Sequence, residues 1–279
     1  MTAILQSESR PLHHWTFLLL ILLAIVVYYP GLSGDYMFDD TSNLLQNQAL
    51  DMKTLDMDSL TDAAMSSGAG LLRRPVSMGS FALNRFFFGI DPFSHKVVNL
   101  VIHVLTGCLL YLFSHLLLAA YQQHRQPRLS VQAARWIPVI VCGMWLVHPL
   151  NLTSVLYIVQ RMTSLATLFM VAGLCLYVVG RMQMLRGRSG LSIILVGLFC
   201  LGGLAILSKE NGVLLPLYML VIEFTVFRFK DTNQKPDKSI ITLFTLILAV
   251  PVLLALLYIV THSDSMLNYS HRDFTLWER

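Results

Sequence analysis

The chain has 279 residues, of which 55% are hydrophobic and only 13% charged, with a formal net charge of +4. Its apolar residues stand in long blocks rather than in periodic stripes, which excludes an ordinary soluble domain and points to an all-α, polytopic membrane bundle. The basic residues collect in the connections between apolar blocks, so the positive charge reflects topology and gives no reason to invoke nucleic acid.

Apolar runs of about 17 or more residues place about seven spans near 15–31, 97–121, 136–148, 153–180, 190–207, 211–228 and 239–261. No small-residue cleavage site follows Tyr28-Tyr29-Pro30, so the first run reads as an uncleaved anchor. The loop 32–94 that follows is too long for a simple turn. Within it, Leu50 to Met65 predicts an amphipathic helix, with Leu55, Met57, Leu60 and Met65 set among Asp51, Asp56, Asp58 and Asp62. Ser77 to Phe88 is richer in aromatics and suits a helix at the lipid headgroup level. The run 66–70 is a flexible break between the two, and the loop as a whole reads as a lid or platform. The third span is short and needs tilt or an extension past Pro149. The chain stops at Arg279 just after an outer connection, with an odd number of spans, which predicts an N-terminal part of a longer protein.

Orientation follows from Lys and Arg, which are retained on the cytoplasmic side in short loops. With the N-terminus inside, the inner segments carry Arg10; Arg125, Arg128 and Arg135; Arg181, Arg186 and Arg188; and Arg228, Lys230, Lys235 and Lys238. The outer side then receives loop 32–94, the turns at 148–152 and 208–211, and the tail 262–279. Cys108, Cys142, Cys175 and Cys200 all fall inside spans and read as small packing residues, without a disulfide framework.

The outer side also holds the polar residues that bear chemistry. Asp39 and Asp40 lie a few residues past the first span; a carboxylate there suits a general base, and the alternative is a hydrated pair or an Asx turn before Ser42-Asn43. Spacing by four puts His95, Asn99 and His103 on one face of the second span, turned toward protein or a water-filled cavity because lipid cannot satisfy them. Tyr157, Gln160 and Arg161 share a face by the same rule. A guanidinium at mid-bilayer costs about 2.5–3.5 kcal/mol, so Arg161 calls for an anion, either a phosphate or a structural partner among Asp39, Asp40 and Glu210. Ser208-Lys209-Glu210-Asn211 is a polar knot between two apolar runs. With Arg73 or Arg74, Lys209 could hold a phosphate headgroup, against a snorkelling alternative. His148-Pro149 closes the third span at the same level, as a helix stop or a site residue. His95, His103, His148, Asp39 and Asp40 could converge on a divalent ion, although no HExxH or CxxC spacing supports one.

The ordered set FDDTSN, RRPVSMGSFALN, HKVVNLVIH, HP, YIVQR and SKEN resembles the membrane region of the C-type glycosyltransferase superfamily. Within it, the set is most similar to the branch of transmembrane and tetratricopeptide-repeat O-mannosyltransferases and their bacterial relatives, over roughly residues 30–215. The resemblance implies an extracytoplasmic active site in an integral membrane protein, a polyprenyl-phosphate-linked sugar donor and an inverting transfer to a hydroxyl on protein or glycan. It also implies an aspartate of the first outer loop as base, Asp40 by position, and phosphate-side contacts from Arg73, Arg74, Arg161 and Lys209. No repeat region is present, which leaves the acceptor open. A lipid-linked glycan polymerase or ligase, a secondary transporter and a membrane scaffold are the competing readings.

Overall fold

A computed structural model describes residues 12–125 and 129–261, and among these residues the fold is helical with no strand. Arg10, Arg128 and the tail 262–279, used above for orientation, lie outside the described residues. Six helices among the described residues are long and apolar enough to cross a membrane: α1 (Leu12–Gly31, ending in a 3-10 turn), α4 (Pro92–Gln123 of a helix reaching Arg125), α7 (Arg161–Leu185, preceded by a 3-10 turn), α8 (Leu191–Ser208), α9 (Glu210–Phe227) and α10 (Lys238–Thr261). A seventh is a bent pair, α5 (Val131–Leu146) and the segment Pro149–Leu156, which meet at 51° and whose last turn is α6 (Leu152–Leu156). Loop 32–91 adds two short helices, α2 (Met57–Ala64) and α3 (Pro75–Phe88). The chain divides into two compact units within α9, one reaching Met219 and one starting at Leu220. All that follows concerns the first.

Local chemistry sets the ends. The Asp56 carboxylate accepts the Ser59 N–H at 2.8 Å and starts α2 there, so the helix expected from Leu50 is confined to Met57–Ala64, with only a 3-10 turn at Gln48–Leu50 before it. Pro75 opens α3, and Gly89, at φ 71°, closes it. Asp91 caps α4 by accepting the N–H groups of Phe93 and Ser94, which carries that helix five residues above its expected start at 97. At the other end of the bundle α7 runs on to Leu185, so Arg181 is a buried residue of a helix rather than a loop charge. Close backbone approach joins α7 to α8 at Gly173, where an added Cβ would sit 3.1 Å from the carbonyl oxygen of Gly197.

The loop does not lie loosely over the bundle. Met78, Phe81 and Ala82 of α3 pack with Leu44, Leu50, Ala63, Ile158 and Met162 in one buried cluster. Only the far end of α3, with Phe87 and Phe88, is left exposed as a headgroup-level helix would be. The Ser77 hydroxyl donates to the Ser208 carbonyl at 2.9 Å, tying α3 to the end of α8.

A single side chain joins these parts. Between α6 and α7 the helix is broken at Tyr157, whose extended backbone (φ −94°, ψ 107°) separates two helical segments. The expected common face of Tyr157, Gln160 and Arg161 is therefore absent, because the residues flank a break and do not share one helix. Arg161, fully buried, donates from Nε to Asn99 Oδ1 (2.7 Å), from one terminal nitrogen to the Ser80 carbonyl (3.2 Å), and from the other to Asn84 Oδ1 (2.7 Å) and the His95 carbonyl (2.8 Å). Its guanidinium carbon also lies 4.4 Å from the centre of the Phe81 ring. Loop helix α3, the start of α4 and the start of α7 thus meet on one cation, whose partners are neutral oxygens and a ring rather than a carboxylate. Arg161→Leu would leave these buried acceptors unpaired at a cost of about 1–3 kcal/mol each. We expect it to lower the thermal unfolding midpoint of the detergent-solubilised protein and to open loop 32–91 to limited proteolysis. Wild-type resistance on both counts would contradict this role.

Candidate active site

The break beside Arg161 exposes backbone groups that two further side chains satisfy. Asn99 Nδ2 donates to the carbonyls of Val155 and Ile158, at 3.2 Å each. Asp40 Oδ1 accepts the Val159 N–H at 2.7 Å, while Oδ2 accepts the Met37 N–H at 3.0 Å. Asp40 and Asn99 are both fully buried. Burial pushes the Asp40 carboxyl up, and the N–H groups of Met37 and Val159, with the ammonium of Lys96, pull against that shift. Lys96 is itself buried and donates to the carbonyls of Gly34 (2.7 Å) and Asp35 (3.2 Å), pinning the start of the loop to α4.

The two aspartates have parted company. Asp40 faces the bundle with both carboxylate oxygens engaged by backbone. Asp39 is exposed; its backbone N–H donates to the Tyr157 hydroxyl at 3.1 Å. The preceding Phe38, at φ 45° and 84% exposed, leads into a helical turn that begins at Asp39, in which successive side chains point in different directions. A solute can reach Asp39 and cannot reach Asp40.

A second group forms where α3, α7 and the α8–α9 junction meet. Arg74 pairs with Glu210 at 2.9 Å, its Nε lying 3.1 Å from each carboxylate oxygen, and a third donor reaches the Met162 sulfur. Gly70 lies against the same carboxylate, with no room for a Cβ. Lys209 Nζ donates to the Thr163 hydroxyl at 2.7 Å, which in turn donates to Gln160 Oε1 at 2.7 Å. No carboxylate among the described residues lies within ion-pair distance of Lys209. Burial and the nearby Arg74 lower its pKa, with Glu210 opposing. The turn that presents this residue is tight, because a Cβ on Gly212 would come within 2.4 Å of the Ala205–Ile206 backbone.

Of the remaining sequence candidates, Arg73 is exposed and reaches only the Met65 carbonyl. His148 is exposed and caps the turn at Pro149 by accepting the Leu150 N–H. His95 and His103 are buried on the same face of α4, as spacing predicts, and each uses a ring nitrogen on a carbonyl, of Asp91 and of Leu146 respectively. The five residues considered for a divalent ion do not converge, and among the described residues no cluster of three or more His, Cys, Asp or Glu side chains is suited to a metal. Asn84 and Lys96 were not singled out from the sequence. A lysine inside an otherwise apolar run was the available signal for the second.

No family model and no solved structure matches the chain. Curated relatives do. A protein O-mannosyl-transferase of Caenorhabditis elegans is 25% identical over 221 residues, covering 77% of this chain and 29% of its own length. The human protein O-mannosyl-transferase TMTC4 is 26% identical over 225 residues (75% and 29%), and the Drosophila melanogaster protein O-mannosyl-transferase Tmtc1 is 28% identical over 196 residues (68% and 20%). The chain spans less than a third of the length of these relatives. It is a distant homologue of proteins named protein O-mannosyl-transferases.

Proposed function

We propose that the chain is the membrane part of a glycosyltransferase that moves a sugar from a polyprenyl-phosphate-linked donor to a protein hydroxyl, at the end of the bundle where loop 32–91 docks. The observation that carries this reading is that an accessible carboxylate, Asp39, and a cation with no anionic partner among the described residues, Lys209, are hydrogen-bonded to Tyr157 and Thr163, the residues that flank Arg161 in the chain. The names of the homologues support the same chemistry.

In this scheme Asp39 is the general base, in place of Asp40. It accepts the proton of the acceptor hydroxyl as that oxygen attacks the anomeric carbon from the face opposite the phosphate, which inverts the centre. The C–O bond to the phosphate breaks as the new one forms, and negative charge grows on the departing phosphate. Lys209 stabilises it, with Arg74 beside it partly neutralised by Glu210. Asp40, Asn99 and Arg161 are positioning residues. The basic residues of the connections, Arg125, Arg135, Arg186 and Arg188 among them, support a reaction on the side away from the cytosol. The buried cations Arg161 and Lys96 are locked onto fixed carbonyl and amide oxygens, which favours a static scaffold over the mobile charges a transporter needs.

Asp39→Asn in the full-length protein should lower the rate of mannosyl transfer by about 10²–10⁴-fold, the usual share of a general base, with an unchanged unfolding midpoint. Asp40→Asn should behave in the opposite way. Its amide nitrogen would meet a backbone N–H in place of an acceptor, at a cost of about 1–3 kcal/mol, and the midpoint should fall. Full turnover in Asp39→Asn would remove that residue from the mechanism. Lys209→Met should raise the KM for the donor by about tenfold or more through loss of a charge-assisted contact; an unchanged KM would place the phosphate elsewhere.

A further inference from the structure

Between α4, α5, α6 and α7 lies a cavity of ≈ 240 Å³ lined by His103, Trp145, Asn151, Ser154, Thr163 and neighbouring hydroxyl side chains. Every residue of its wall carries a polar side-chain atom although the cavity stands among membrane-crossing helices, where polar atoms need partners. Several of those atoms have none. His103 is buried and donates from Nε2 to the Leu146 carbonyl, leaving Nδ1 without a partner among the described residues. Asn151 commits its Nδ2 to the Trp145 carbonyl at 2.7 Å, and its Oδ1 is unpaired among the described residues. The Trp145 indole nitrogen and the Ser154 hydroxyl are likewise without a hydrogen bond among the described residues. Trp145 is held in place by stacking on His103, with ring centres 4.5 Å apart. A donor-only nitrogen of Trp145, two acceptors (Asn151 Oδ1 and His103 Nδ1, whose ring proton is on Nε2) and one hydroxyl able to do either therefore border one space.

No Lys, Arg, Asp or Glu lines this cavity, so the chemistry it fits is neutral and rich in hydroxyls. It is linked to charge through Thr163, which belongs to the wall and accepts the hydrogen bond of Lys209. We propose that the cavity is a binding site for a single sugar ring whose attached phosphate is held at Lys209. This deepens the glycosyltransferase reading and rests on it: it assigns the donor's sugar to the His103–Trp145–Ser154 wall. Discrimination would come from hydroxyl contacts, since a wall built to hydrogen-bond a ligand penalises one that lacks the matching groups.

The test uses the full-length protein in lipid nanodiscs and two probes, a short-chain prenyl phosphomannose and the same prenyl phosphate without sugar. Wild type should bind the sugar-bearing probe more tightly. His103→Gln keeps a donor for the Leu146 carbonyl and removes Nδ1; Ser154→Leu fills the space. In each, with the unfolding midpoint retained, the preference should fall by about tenfold, while affinity for plain prenyl phosphate stays at the wild-type value. Binding of both probes with a wild-type preference in both folded variants, or with no preference in wild type, would overturn the sugar site and leave the donor class standing. Failure of both probes to bind would overturn the donor class and this inference together.

Discussion

The structure depends on a buried guanidinium that has no counterion among the described residues. Arg161 sits at the start of α7, directly after a break in the helix, and replaces its water shell with two side-chain amide oxygens, two backbone carbonyls and the face of Phe81. A buried charge is tolerable only when its hydrogen-bonding groups are met. Meeting them recruits the loop helix α3 through Ser80 and Asn84, and α4 through His95 and Asn99. A planar fork of fixed donors selects one arrangement of these three elements, which a lysine's point charge would not do.

The break itself is what makes the polar end possible. Continuous helix would bond the Val155 carbonyl to the Val159 N–H; the extended turn at Tyr157 parts them, and Asn99 and Asp40 take their place, Asn99 also reaching the Ile158 carbonyl, which accepts the Arg161 N–H as well. The polar groups then fall into two sets. Asp40, Asn99, Lys96 and Arg161 are buried and engaged with backbone or with one another, whereas Asp39 and Lys209 stand at the edge of the frame with capacity to spare for a solute. Rigid support behind accessible groups is the arrangement that preorganised electrostatic catalysis needs.

Helix number and class were legible because long apolar runs in a chain that must satisfy its backbone in lipid have one solution. The stripe His95, Asn99 and His103 was legible for the same reason, as period four on a helix fixes a face. What could not be read was the break at Tyr157. YIVQR carries neither Gly nor Pro, and the signal that bends the chain lies 58 residues earlier in Asn99, a separation of side chain and target that local pattern does not contain. The different burial of Asp39 and Asp40 was hidden similarly: the residues are adjacent and identical, and the turn before them holds the exposed Phe38 at a positive φ, an unfavourable conformation for an aromatic that no local pattern announces. Arg161 was rightly seen to need partners and wrongly expected to need an anion, since four neutral oxygens meet its donors.

Hydrogen–deuterium exchange on the full-length protein in nanodiscs tests the central claim most directly, because regions that open as one unit share one protection level. If Arg161 locks the loop to the helix break, the amides of Met37–Leu44 and of Tyr157–Gln160 exchange slowly and at a common rate, although neither stretch belongs to a long helix. Rapid exchange across Met37–Leu44 beside a protected Tyr157–Gln160 would show that the loop moves independently, and the account would be wrong.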